Sequence, residues 1–172
     1  MKILLVIIAV VAACVVLVVI IGYSLPVSHR ASRMAEYAAR PTAVFDAISG
    51  VEAYPTWRSR VKSVEIVALP NGGRGFREHG SDGTILYAIE DAAAPTRFVT
   101  RIADDKLPFG GTWTYAVHEH AGGTTLRITE DGEVRNPVFR FVSRFVLGHD
   151  ASINTYLADL GKKFGATAVI TD

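Results

Sequence analysis

Residues 3–21 read ILLVIIAVVAACVVLVVII, a run without a charge or a strong polar group. No other feature limits the organisation of the chain as much. About 17–25 apolar residues suffice to cross the hydrocarbon layer as a helix. The first reading is a single-pass anchor over residues 1–22. A cleaved secretory signal is the second. Its apolar region would be about 7–15 residues long and end in small residues, and GYSLPVS offers only a weak site of that kind. A third reading takes VAAC as a lipoprotein processing site ending at Cys14, but the apolar run continues well past that cysteine. Residues 23–30, with Pro26, then form a polar tether, and residues 31–172 form one domain. Lys2 on one side nearly balances Arg30 and Arg33 on the other, so the positive-inside rule gives little direction. The position at the start of the chain favours an export signal, which places the domain outside the cytoplasm.

The rest of the chain has the composition of a packed domain. Hydrophobic residues make up 49% and charged residues 20% of the 172, enough to build a core and too apolar for disorder. The net charge is +1, from 18 basic and 17 acidic residues; without Lys2 the balance is 17 against 17. A neutral domain does not suit nucleic acid, whose binding relies on cations at phosphates. Cys14 is the sole cysteine, so the chain forms no internal disulfide and no thiolate zinc site. The sequence contains no Walker motif, no strand-borne G-x-G-x-x-G, no G-x-S-x-G and no H-E-x-x-H. Nucleotide hydrolysis, dinucleotide binding and zinc proteolysis are therefore disfavoured, and no cofactor or metal is expected.

Periodicity predicts an α+β domain. SRMAEYAAR alternates as a first strand. Pro41 suits the first position of a helix. Val44, Phe45 and Ile48 then share a face, and Gly50 ends it. VEAYPTWR, residues 51–58, is a second short helical piece that Pro55 keeps short. VKSVEIVAL, RGFREHG, TILYAIED and RFVTRIAD read as strands, the first two separated by the turn signal NGG. GGTWTYAVHEH-AGG-TTLRITEDGEV is the clearest hairpin, with Trp113, Tyr115 and Val117 opposite Leu126 and Ile128 on one apolar face. From Pro137 the period becomes helical. Val138, Phe141, Val142 and Phe145, then Ile153, Tyr156, Leu157, Leu160 and Phe164, describe one long amphipathic helix, with Gly148 as the place for a bend or break. Such a helix can cover the apolar face of a curved antiparallel sheet.

This order resembles the START-like helix-grip superfamily (SRPBCC), and more narrowly its polyketide cyclase/dehydrase and lipid-transport branch. The residues that carry the resemblance are PTAVFDAISGVEAYPTWRSRVKSVEIV, the hairpin with its continuation into RNPVFRFV, and the tail INTYLADLGKKFG, over roughly residues 31–165. The resemblance implies a helix-grip fold: a curved antiparallel sheet of about seven strands around a long C-terminal helix, with two short helices after the first strand. It also implies a cavity between sheet and helix for a lipid, a polyketide or another aromatic compound. In such a fold the Tyr-Pro-Trp piece caps the closed end of that cavity. The family shares no single catalytic triad, so its fold leaves function open.

The residues expected to line the cavity are Trp57, Phe76, Tyr87, Trp113, Tyr115, Ile128, Tyr156, Leu160 and Phe164. A void of about 300–1,000 Å³ is expected between the hairpin and the helix. Glu130 continues the parity of Leu126 and Ile128, and Glu78 that of Phe76. Each is either a cavity carboxylate able to act as general acid or base or, more simply, a strand-end carboxylate in water. Tyr87, Tyr115 and Tyr156 would orient a ligand oxygen or sit as satisfied core tyrosines. His118 and His120 fall on the face opposite Trp113 and are read as surface, as are the isolated His79 and His149. Arg140 and Arg144 lie opposite Phe141 and Phe145; a solvated helix face is the simpler reading, contact with lipid phosphates the other.

The sequence thus points to a membrane-tethered binding module for a hydrophobic or amphipathic small molecule, rather than to an enzyme. The alternatives are a cyclase or dehydratase using Glu130 or Glu78 with a tyrosine, and an interaction protein whose cavity is filled by its own side chains.

Overall fold

A computed structural model describes residues 2–70, 72–81, 83–148 and 150–172. His149, expected at the surface, and Asn71 of the NGG turn lie outside them. Helix α1 spans Lys2–Ser24 and is long and apolar enough to cross a membrane. Strand β1, Ser28–Tyr37, follows almost at once and takes in part of the stretch expected as a tether. Helix α2, Pro41–Ser49, and a 3-10 turn, Val51–Thr56, come next. Six strands follow as a meander: β2 (Val61–Ala68), β3 (Arg74–Gly80), β4 (Gly83–Ala93), β5 (Arg97–Ile102), β6 (Phe109–His120) and β7 (Gly123–Val134). The last elements are α3 (Pro137–Val142), a π-helical turn (Ser143–Leu147), α4 (Ala151–Lys163) and the two-residue β8 (Ile170–Thr171).

The eight strands form one antiparallel sheet in the order β2-β3-β4-β5-β6-β7-β1-β8. The hairpin register places Tyr115 opposite Ile128 and Trp113 opposite Glu130. β1 returns beside β7 and sets Ala35 against Leu126. Alternation therefore sends Ala35 and Tyr37, Tyr115 and Val117, and Leu126 and Ile128 to one buried face. Bulges near Ser63 in β2 and Asp91 in β4 add bend to the sheet.

α2 buries Val44, Phe45 and Ile48 as their spacing predicts, and Pro41 opens it. The 3-10 turn tucks Tyr54 under α2, its hydroxyl donating to the Ile48 carbonyl at 2.6 Å. α4 lies across the sheet with Ile153, Leu157 and Leu160 wholly buried. Burying each such side chain contributes about 1.5–3 kcal/mol. Its start is tied to β1 by Arg33 and Asp150, 2.7 Å apart.

The expected single C-terminal helix is two pieces with different partners. Gly148 takes φ 77°, a left-handed conformation that stops the first piece. Only α4 covers the sheet. α3 turns away and packs on α1: Gly22 lies so close to Pro137 that a Cβ would fall 2.0 Å from the Pro137 carbonyl oxygen. The stripe of Val138, Phe141, Val142 and Phe145 therefore does not line the domain interior, and Phe145 is 60% exposed. Arg140, read as solvated, is 8% exposed and donates to the Leu25 carbonyl at 2.8 Å. It bolts the exit of α1 to α3. Arg144 is exposed as expected.

Candidate functional site: an aromatic box around an ion pair

The buried face of the sheet, the 3-10 turn and α4 bring aromatic rings together from four parts of the chain. Tyr156 of α4 is the hub. Its ring centroid lies 5.2 Å from Trp57, 5.5 Å from Tyr115, 6.0 Å from Trp113 and 6.2 Å from Tyr54. Most of these contacts are edge-to-face or tilted, the arrangement the ring quadrupoles favour. Phe76 and Tyr87, directly opposite on β3 and β4, stack at 5.0 Å. Tyr54, Phe76, Tyr115 and Tyr156 are buried and form a floor. Trp57, Tyr87 and Trp113 are half-buried and form a rim.

Inside this box sits a charge pair that pattern reading missed. Arg58 pairs with Glu78, their side chains 19% and 12% exposed. The guanidinium also lies 4.8 Å from the Tyr54 ring centroid and 4.9 Å from that of Tyr156, a double cation–π contact. Burial works against the charge of Arg58, but Glu78, then the surrounding tyrosines, outweigh it and hold the guanidinium above its usual range. Glu78 is thus the counterion of Arg58 inside the box, not a strand-end carboxylate in water. Arg58 was visible as a cation directly behind an aromatic plug, yet nothing in periodicity told which way it pointed.

The phenols are held protonated. Burial pushes Tyr54 up to about 12, with Arg58 pulling the other way. Burial likewise holds Tyr87, Tyr115 and Tyr156 above the usual tyrosine range. The Tyr156 hydroxyl donates to that of Tyr54 at 3.3 Å, which donates onward to Ile48. These groups can offer protons in hydrogen bonds; they are unsuited to accept one as tyrosinate at neutral pH. Trp57 Nε1 is buried and has no acceptor among the described residues. A second polar link fixes the box from below: Asp159 of α4 accepts from Ser59 N at 2.8 Å and Ser59 Oγ at 2.6 Å, next to Arg58.

Of the expected lining set, Trp57, Phe76, Tyr87, Trp113, Tyr115 and Tyr156 come together. Ile128 and Leu160 are sealed in the core beneath them. The ring partner of Phe164 is Tyr37, at 5.8 Å, not the box. The expected void between the hairpin and α4 is occupied, because the Trp113 and Tyr115 rings touch Tyr156 directly. Two openings lie elsewhere. One, of about 400 Å³, opens where Gly111 and Gly132 meet near Arg101 and Asp131; another, of about 330 Å³, lies beside the exit of α1. Glu130 is half-buried, 3.6 Å from His29 Nε2, which overturns its placement in open water. His118 and His120 are exposed, and His79 bonds Thr84 at 2.9 Å. No cluster of metal-ligating side chains occurs among the described residues.

A curved antiparallel sheet closed by α2 and the 3-10 turn and gripped by a C-terminal helix defines a START-like helix-grip protein. The chain belongs to the polyketide cyclase/dehydrase and lipid transport family, whose pattern matches residues 28–153. It is similar in fold to a START superfamily protein from Mycobacterium smegmatis, with a TM-score of 0.63 and 18% identity over 80% of this chain and 97% of the other. A similar match is the Zhui aromatase/cyclase of Streptomyces, with a TM-score of 0.61 and 13% identity over 80% of this chain and 94% of that one. Another is Ara h 8.0201, with a TM-score of 0.55 and 15% identity over 80% and 93% of the two chains. Curated proteins yield no match to this chain.

Proposed function

We propose that this protein is a membrane-tethered binding module that takes an amphipathic small molecule, of lipid, polyketide-like or aromatic kind, into the aromatic box. α1 serves as the tether and the domain faces away from the cytoplasm. The observation that carries the reading is the Arg58–Glu78 pair with the Trp57 donor beside it. Well-packed apolar residues stabilise a core at least as well as a buried ion pair does, and an unused buried donor costs about 1–3 kcal/mol. A core that only had to fold would need neither. A ligand oxygen can take up the Trp57 and tyrosine donors while its apolar body lies on the rings. Entry requires the rim rings of Trp57 and Trp113 to part from Tyr156 and that of Tyr87 from Phe76.

A second reading draws on the protonated phenols. The Tyr54 and Tyr156 protons are committed to the chain that ends at Ile48, so the Tyr87 and Tyr115 hydroxyls, with the Arg58 guanidinium, would polarise a carbonyl, the demand that a cyclisation or dehydration of a polyketide-like chain makes. On this reading Glu78 positions Arg58 and is not itself the base. The third reading, a box filled for good by its own rings, is favoured by their direct contact.

One experiment separates these. The full chain is extracted from membranes and weighed by native mass spectrometry beside an Arg58→Met/Glu78→Leu variant, which roughly keeps the volume of the site and removes both charges. Binding predicts a co-purified small molecule on the wild type and its loss from the variant. A wild type that carries nothing, with a variant equally stable, would leave the filled box as the better account. Turnover of a released polyketide-like ligand would favour the second.

A further inference from the structure

The chain builds a second hollow where α1 leaves the domain. Leu25, Pro26 and Arg30 on one side, and Val134, Arg140 and Arg144 on the other, enclose about 330 Å³. Three guanidinium groups line it and no carboxylate does. Arg30 is already paired with Asp131 at 3.2 Å. Arg140 and Arg144 have no ion-pair partner among the described residues.

Arg140 carries most of the argument. It is 8% exposed. Nη1 and Nη2 donate to the carbonyls of Leu25 at 2.8 Å and Arg135 at 3.3 Å, and the guanidinium lies 6.0 Å from the Tyr23 ring centroid. Its Nε is buried without an acceptor among the described residues. A guanidinium taken out of water needs a counter-anion to offset its desolvation, and a planar fork suits phosphate oxygens. No side chain here supplies one.

The surroundings say which anion. The hollow lies level with the end of the apolar helix, where Gly22 meets Pro137. On the same segment as Arg140 and Arg144, Phe139, Phe145 and Val146 stand exposed, and α3, which opens that segment, packs on the apolar helix. Apolar side chains next to cations, at the end of a membrane-length helix, match the boundary between acyl chains and headgroups. We propose that this hollow holds the phosphate of an anionic membrane phospholipid, with Arg140 and Arg144 as its cationic contacts and Phe145 and Val146 among the acyl chains. The proposal rests on the reading of α1 as a membrane anchor.

The test uses the full chain reconstituted in vesicles of phosphatidylcholine and phosphatidylglycerol at three to one. Alkaline carbonate washing comes first. A chain that washes off sinks the anchor reading and this site with it. For a retained chain, lipids that stay bound after detergent extraction are counted by mass spectrometry. The wild type should keep phosphatidylglycerol in preference to phosphatidylcholine. Arg144→Gln, at an exposed position, should lower that retention roughly fivefold with the melting curve unchanged. Arg140→Gln should lower it further and also loosen α3 from α1. Equal retention of both lipids, or no change in Arg144→Gln, would overturn the site while leaving the anchor intact. Displacement of the lipid by millimolar inorganic phosphate would reassign the hollow to a free anion and refute the headgroup assignment.

Discussion

α3 with its π-helical turn and α4 have the same kind of sequence and opposite fates. Both repeat apolar residues at helical spacing, and both descend from one continuous pattern after Pro137. In α4 that pattern is buried on the sheet, down to 0% exposure at Leu160. In the earlier piece Phe145 and Val146 face outward and the contact made is with α1. An apolar stripe states that a face avoids water. It does not state whether the cover is a sheet, another helix or lipid.

The largest expected contrast tests that difference directly. Leu160→Ala should destabilise the domain by about 4 kcal/mol in denaturant unfolding, because the site is sealed and leaves a cavity. Phe145→Ala should change it by less than about 0.5 kcal/mol. Similar costs at both positions would mean that the two pieces share one core. Leu160→Trp, which a void would have accepted, should cost about 1–3 kcal/mol by overpacking.

Next comes the charge inside the box against the charges beside α1. Glu78→Gln leaves Arg58 without its counterion and should cost about 3 kcal/mol. The double variant Arg58→Met/Glu78→Leu should recover most of that loss. A single variant as stable as wild type would show that water reaches the pair freely. Arg144→Gln, at the exposed cation, should leave the unfolding midpoint where it was.

A smaller effect concerns the strut under the box. Burial alone would raise the Asp159 carboxyl, but the Ser59 hydrogen bonds, then Lys162, outweigh it and hold it below 3.8. Its contribution is therefore whole above that value and is lost as pH falls through the lower folded value. Asp159→Asn should cost about 2 kcal/mol at neutral pH, and the gap to wild type should narrow in acid. A gap that stays constant down to pH 2 would contradict the ionised form. A small net change is expected at the rim: Trp57→Phe keeps a ring and removes the unpaired Nε1, and the relief of that donor, about 1–3 kcal/mol, offsets the packing lost with the smaller ring. Any co-purified ligand should be retained several-fold less well; equal retention would remove Trp57 from the polar contacts.

The sequence by itself determined a good deal, because local physics sufficed. Alternation in β6 and β7 set which residues face inward, Pro41 and Gly50 bounded α2, and an apolar run marked α1. The family resemblance supplied how these parts are arranged, and the helix-grip fold follows it. Six of the nine residues expected to line a cavity do meet. Tertiary structure alone decided the rest. Arg58 and Glu78 stand twenty positions apart, one in the loop after the 3-10 turn and one in β3, and only the packing of that turn against β3, as Tyr54 on Phe76, brings them together. Arg140 is buried because α3 leans on α1, a contact between segments 115 positions apart at Leu25 and Arg140 that no helical period encodes. Whether the box is hollow or full depends on ring sizes and packing across four elements. Periodicity fixes the direction of a side chain; the distance to what it meets is set by the fold.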